Sequence, residues 1–230
     1  MKRGSVQVAG ITSAAEAGFL RRLSPEAIGI PYDLEGRKED LSPEGFLASV
    51  KEVTAPVRSI WITYVSDFNR LVETVTQSGA TGLQLHGEVT VPLVSAVRKA
   101  LPRIYLIKSL IVGKYTLPQL TEEVEDFAPF VDAFLTDTWE PTSKKSGATG
   151  KLHDWSVSKA LVRLSPKPIF LAGGLTPENV YDAILAVKPW GVDSHTGLED
   201  ESGQKSEAKV KKFLAEARRA YTALGESTSS

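Results

Sequence analysis

Few side chains in this sequence can carry chemistry, and they recur at similar places. Asp137 and Asp193 end the short apolar stretches "FLTD" and "GVD", and His86, Lys108 and His195 stand in comparable positions. Carboxylates and imidazoles are the ordinary proton donors and acceptors of catalysis. A lysine at such a place forms a Schiff base with a carbonyl compound, or simply an ion pair. A second chemistry lies in "PIFLAGGLTPENVYDAI", where Gly173 and Gly174 follow an apolar run and a helix is expected directly after Leu175. Glycines there let backbone N–H groups approach an anion, phosphate above all. Thr196 and Gly197 of "HTGLE" supply a second such loop. A tight strand-to-helix turn would also use a glycine pair, but two glycine loops together point to phosphate.

Composition removes several alternatives. The chain has no cysteine, which excludes disulfides, thiolate metal sites and cysteine nucleophiles. Its 27 basic and 28 acidic side chains leave a net charge of −1, so there is no electrostatic footprint for nucleic acid or an anionic membrane. No segment approaches the about 18 apolar residues of a membrane-spanning helix, and "MKRGSVQVAG" lacks the apolar stretch of a signal peptide. A cytoplasmic protein is expected.

These residues need a frame to bring them together. Eight β-branched or apolar runs recur: Val6–Ala9, Ala27–Ile30, Ser59–Tyr64, Gly82–Leu85, Ile104–Ile107, Ala133–Thr136, Ile169–Ala172 and Trp190–Asp193. Each is followed by an amphipathic stretch such as "FNRLVETVTQSG", with Leu71, Val72 and Val75 at helical spacing. Apolar strands alternating with helices predict a parallel sheet covered on both faces. Eight units in about 250 residues predict a single-domain (β/α)8 TIM barrel, with an open doubly wound sheet as the rival. The barrel is expected over residues 1–224, with a disordered tail at 225–230. In that fold the strands' C-terminal ends carry the site. Gly10 and Thr12, Asp33, Tyr64, His86, Lys108, Asp137, Gly173 and Gly174, and Asp193 with His195 and Thr196 all fall there in chain order.

The quoted segments then carry a family resemblance. "QLHG" (Gln84–Gly87), "FLTDT" (Phe134–Thr138), "GATGKLHDW" (Gly147–Trp155), "LAGGLTPENV" (Leu171–Val180) and "GVDSHTGLE" (Gly191–Glu199) resemble phosphoribosylanthranilate isomerase in order and spacing. The resemblance runs from about Val6 to the last helix. It implies a (β/α)8 barrel that performs a cofactor-free, metal-free Amadori rearrangement. In that reaction a general acid opens the furanose of a phosphoribosylamine. A general base then takes the proton from C2 of the Schiff base, giving an aminodeoxyribulose phosphate.

By this resemblance Asp137 is the acid. The loops with Gly173, Gly174, Thr196 and Gly197 hold phosphate, and His86 and Lys108 lie near the ligand. Gly150 belongs to a loop, Glu140–Lys151, that closes over it. Two positions depart from the family. Where the first strand typically offers a cysteine base this chain has Ala9, and where an arginine precedes Ser42-Pro43-Glu44 it has Glu39, with Arg37 two residues earlier. A glutamate there would repel the anthranilate carboxylate. His195, which replaces a usual serine, and Asp193 are the candidate substitutes for the base; His195 is also a candidate phosphate contact. Two other readings of the same residues are open. One is an enzyme acting on a different phosphorylated sugar or carbonyl compound through Asp137 with Lys108 or His195, and the other is a non-catalytic sugar-phosphate binder. The expected partner is a small phosphorylated sugar, and the expected state is a monomer or homodimer.

Overall fold

The computed structural model describes residues 1–34, 41–140, 145–146 and 155–225. All eight apolar runs are strands: β1 Ser5–Ala9, β2 Ala27–Pro31, β3 Arg58–Thr63, β4 Gly82–Leu85, β5 Tyr105–Val112 and β6 Ala133–Glu140, then, after a two-residue β7 (Lys145–Ser146), β8 Ile169–Leu171 and β9 Gly191–Ser194. Each of the eight pairs in parallel with its neighbour, and β9 pairs with β1. The sheet therefore closes into a barrel, and the open-sheet alternative is excluded. β7 pairs antiparallel with the end of β6, as Trp139 opposite Ser146.

Helices α1 Ala14–Leu23, α2 Pro43–Glu52, α3 Phe68–Ser78, α4 Val91–Ala100, α5 Leu117–Phe127, α6 Trp155–Leu164, α7 Val180–Val187 and α8 Glu207–Ala223 follow the strands. Their starts are set locally. The side chains of Ser13, Ser42, Asp67, Thr90 and Ser206 each accept a hydrogen bond from the backbone N–H three residues on, which satisfies one of a helix's orphan donors. Among the described residues no helix is long and apolar enough to cross a membrane.

Three local expectations are corrected. β5 and β6 run on to Val112 and Glu140, because they keep pairing with each other through Ile111 opposite Asp137 and Val112 opposite Thr138. Lys108 and Asp137 thus lie inside these strands rather than at their C-terminal ends. α7 does not begin after Leu175. Asn179 accepts from the N–H of Thr176 at 2.8 Å and donates to the carbonyl of Gly174 at 3.0 Å, which pins a turn before the helix. Gly225 donates to the carbonyl of Thr222 at 3.0 Å and closes α8, so it is not part of a tail; residues 226–230 lie outside the described residues.

Two apolar cores hold the frame. The larger fills the space between strands and helices, with Val6, Val8, Ile28, Trp61, Leu83, Leu106, Phe134 and Phe213 all buried. The smaller fills the barrel itself with Ala27, Ile60, Ile107, Ala133, Leu135, Phe170 and Ala172. Successive residues of a strand face opposite sides, so the two cores take alternate positions. That alternation decides which polar residues reach the barrel mouth.

Candidate active site

Above the inner apolar layer the inward positions turn polar. Gln7 on β1 donates from Nε2 to Gln84 Oε1 on β4 at 2.9 Å, and Gln84 Nε2 donates to Ser109 Oγ on β5 at 3.3 Å. The same hydroxyl meets His86 Nδ1 at 2.9 Å. The imidazole's other nitrogen is Nε2. That nitrogen faces Asp137 Oδ2 at 3.6 Å. The other oxygen of Asp137 accepts the N–H of Thr138 at 2.7 Å. The ring of Tyr64 stands edge-on to that of His86, centroids 5.0 Å apart. The result is a buried polar network across the barrel that ends on a carboxyl at its mouth. Such networks fix side-chain positions when their members are paired.

Asp193 enters the same layer from β9, directly opposite Gln7 in the β1–β9 register. It is buried, and its Oδ1 has no hydrogen-bond partner among the described residues. Burial first, and then the charge of Asp137, push its pKa up to about 8, against the opposing pull of Gln7 and Lys205. Ala9 lies two residues beyond Gln7 on the inner face of β1 and is 4% exposed. A methyl group therefore stands at this inner position.

The glycine loops come together as backbone. A Cβ on Gly197 would lie 2.0 Å from the carbonyl oxygen of Leu175, and Ser194 Oγ donates to that same carbonyl at 2.6 Å. The loop after β8 and the short 3-10 helix Thr196–Leu198 after β9 are thereby locked against each other. Only a residue without a side chain permits this approach. Gly173 and Gly174 have φ of 91° and 65°. The side-chain bond from Asn179 occupies the carbonyl of Gly174, not its N–H.

A buried ionic cluster behind these loops went unnoticed in the sequence. Lys205 Nζ, in the segment before α8, binds Glu199 Oε1 at 2.7 Å and the carbonyl of His195 at 3.3 Å. Glu16 on α1 accepts the backbone N–H groups of Lys205 and Thr12 and the hydroxyl of Thr12. His195 Nε2 lies 3.2 Å from Glu199 Oε1. A Cβ on Gly10 would fall 1.9 Å from His195 Nε2, so the imidazole packs directly on the first loop. Burial works to raise the pKa of Glu199, yet hydrogen bonds from His195 and Lys205 hold it down at about 2. Burial lowers that of Lys205. The cluster ties the phosphate loop to the loop after Ala9. Its only sequence signal was polar residues spaced like ordinary helix surface.

Lys108 is placed differently from expectation. Its neighbours Leu106 and Leu110 belong to the outer core and Ser109 faces the inner network. Alternation therefore turns Lys108 outward, away from the mouth. Its ammonium sits under α5, 3.0 Å from Glu123 Oε1, 2.6 Å from the carbonyl of Ser109 and 5.8 Å from the ring centre of Phe127. It lines a recess of about 740 Å³ with Tyr64, His86, Lys114 and Tyr115. Arg37, Glu39 and Gly150 lie outside the described residues, as does most of Glu140–Lys151.

Known proteins share this arrangement of strands and segments. The family model for N-(5'phosphoribosyl)anthranilate (PRA) isomerase matches residues 41–216. N-(5'-phosphoribosyl)anthranilate isomerase 2 of Methanosarcina mazei is 34% identical, with 93% of each chain covered. The isomerase of Nostoc punctiforme is 33% identical over 91% of this chain and 96% of its own. Among solved structures, the Thermotoga maritima isomerase superposes with a TM-score of 0.78 at 28% identity, covering 94% of this chain and 98% of that one. That protein is described elsewhere as dimeric. A further isomerase, solved with reduced 1-(o-carboxyphenylamino)-1-deoxyribulose 5-phosphate, superposes at 0.75 with 26% identity and the same coverage. Sequence, fold and the order of the site segments agree, and the chain belongs to the phosphoribosylanthranilate isomerase family.

Proposed function

We propose that this chain catalyses the Amadori rearrangement of N-(5-phosphoribosyl)anthranilate to 1-(o-carboxyphenylamino)-1-deoxyribulose 5-phosphate. The observation that carries the reading is Asp137: a buried carboxyl at the barrel mouth that accepts the Thr138 N–H and faces His86 Nε2 at 3.6 Å, on the strand next to the one that leads into the glycine loop. The phosphate is held by the backbone of Gly173, Gly174, Thr196 and Gly197, whose close approach brings two loops onto one anion. The ribose then lies over the barrel axis. Asp137 protonates the ring oxygen, and His86 orients that carboxyl from the network below.

The protein works in the cytoplasm as a monomer or homodimer, and the aromatic carboxylate meets the loop that contains Arg37. The test is turnover of N-(5-phosphoribosyl)anthranilate, followed by loss of its fluorescence. Asp137→Asn keeps the shape and removes the acid, so kcat should fall by about 10²–10⁴-fold while ligand affinity is retained. Full activity in that variant would remove Asp137 from the mechanism.

A further inference from the structure

Ala9 leaves the isomerisation without its expected base, and the inner polar layer contains a replacement. Resting on the isomerase reading above, we propose that Asp137 and Asp193 work as an acid–base pair in which Asp193 removes the proton from C2 in place of the missing cysteine.

The geometry supports this in three ways. Asp193 faces Gln7 in register, on the strand that borders β1 and one inward step below Ala9, so its carboxyl serves the same side of the mouth. Among the described residues its Oδ1 is buried and without a partner, and so is Oε1 of the facing Gln7. Two neighbouring acceptors without a donor are costly unless a proton or a ligand hydroxyl lies between them. The other titratable groups of the site are engaged: His86 by Ser109 and Asp137, and His195 by Glu199. The charged and polar groups that face Asp193 are Asp137, Gln7 and Lys205. Two carboxyls that share a low-dielectric space do not both ionise. Burial and the charge of Asp137 raise the pKa of Asp193 to about 8, which keeps Asp193 protonated in the empty site. A sugar hydroxyl donating to the open Oδ1 favours the ionised form of Asp193 and transfers the proton to Asp137.

The proton balance closes on the pair. Asp137 gives its proton to the ring oxygen as the C1–O bond breaks, and the nitrogen lone pair forms the C1=N bond. Asp193 takes the C2 proton; the C–H electrons form C1=C2 and the iminium pair returns to nitrogen. The protonated Asp193 then delivers its proton to C1, while the enol oxygen on C2 gives its own to Asp137. The product ketone forms and both carboxyls return to their starting states. No external acid, base or redox partner enters.

The experiment compares the unmodified chain, Asp193→Asn, Ala9→Cys and the double variant with N-(5-phosphoribosyl)anthranilate. Retained binding of the reduced product analogue verifies that each protein is folded. The expected result is a fall in kcat of about 10²–10⁴-fold in Asp193→Asn with KM little changed, and recovery in the double variant. The pH profiles should also reverse. In the unmodified chain kcat/KM falls as the dyad loses its proton near pH 8, whereas with a thiol base, of ordinary pKa about 8.5, it rises over that range. An Asp193→Asn protein that turns over at the unmodified rate overturns the dyad and leaves the isomerase reading intact. A folded Asp193→Asn protein that Ala9→Cys does not rescue makes Asp193 a positioning residue and also overturns it. If the unmodified chain and Ala9→Cys both leave the substrate untouched, the isomerase reading itself falls, and the dyad with it.

Discussion

The two ends of the site are built from different materials. At the end proposed for the phosphate the groups on offer are backbone amides, and the side chains nearby are absent or tied back: Gly197 pressed against Leu175, Ser194 on the same carbonyl, Asn179 on Gly174. At the end proposed for the reaction the backbone is ordinary strand, and the candidate groups are Asp137, Asp193 and His86, beside the network of Gln7, Gln84 and Ser109. A backbone site tolerates drift in residue type as long as the chain path is kept, whereas a side-chain site changes with one substitution. The glycine loops are of the first kind, and the proposed base position is of the second.

The ionic cluster of Lys205, Glu199, Glu16 and His195 joins the two ends, so the strongest way to break the contrast is to remove its cation. Lys205→Met leaves the half-buried Glu199 without its buried ammonium, and a loss of about 3 kcal/mol is expected, the low end of the cost of breaking a buried pair. Thermal or urea unfolding measures it, and a stability unchanged from the parent would show that the cluster does not hold the loops. The next test acts on backbone alone. Gly197→Ala places a methyl group 2.0 Å from a carbonyl oxygen that cannot rotate away, at a strain of roughly 1–3 kcal/mol. KM should rise roughly tenfold or more while kcat changes less, since about 1.4 kcal/mol is a factor of ten in binding. A drop confined to kcat would move this loop from the phosphate end to the reacting end.

The smallest expected effect is in acid. Glu199 is held down at about 2 in the folded protein, below the ordinary 4.5. The unfolded chain therefore binds its proton first as pH falls. The stabilisation is complete above about 4.5 and is lost towards about 2. Because the group is partly open to solvent, the contribution is on the order of 1 kcal/mol. Glu199→Gln should flatten the acid side of the stability curve over that range; an unchanged curve would mean that the ion pair contributes nothing.

Much of the frame was legible in the sequence because buried parallel strands must be apolar on both faces. Runs such as "PIFLA" and "GLQL" stand out for that reason, and the barrel followed from their number. Strand ends were less legible. β5 and β6 continue because each has the other to pair with, a fact that belongs to neighbours distant in sequence. Among site residues, Asp137, His86 and the glycine loops could be found by their place after apolar runs. Gln7 was also visible as a polar residue within the run Val6–Ala9, but its partner was not, and Ser109 lies beyond the run Ile104–Ile107. Lys108 was misplaced because sequence shows that a residue lies near a strand's end without showing which face it takes when the strand is longer than expected.

By itself, the sequence determined the number of strands, the two glycine loops and the absence of any thiol that could serve as base. These are properties of composition and local spacing. Only the tertiary structure decided the parity of each strand, which turns Asp137 and Asp193 into the barrel and Lys108 out of it. It also decided the meeting of residues from separate units, Glu16 with Lys205 and His195 with Gly10. The physical reason is that closure of the sheet fixes the register of all eight strands at once. A side chain's face, burial and charge environment follow from that register and cannot be read one segment at a time.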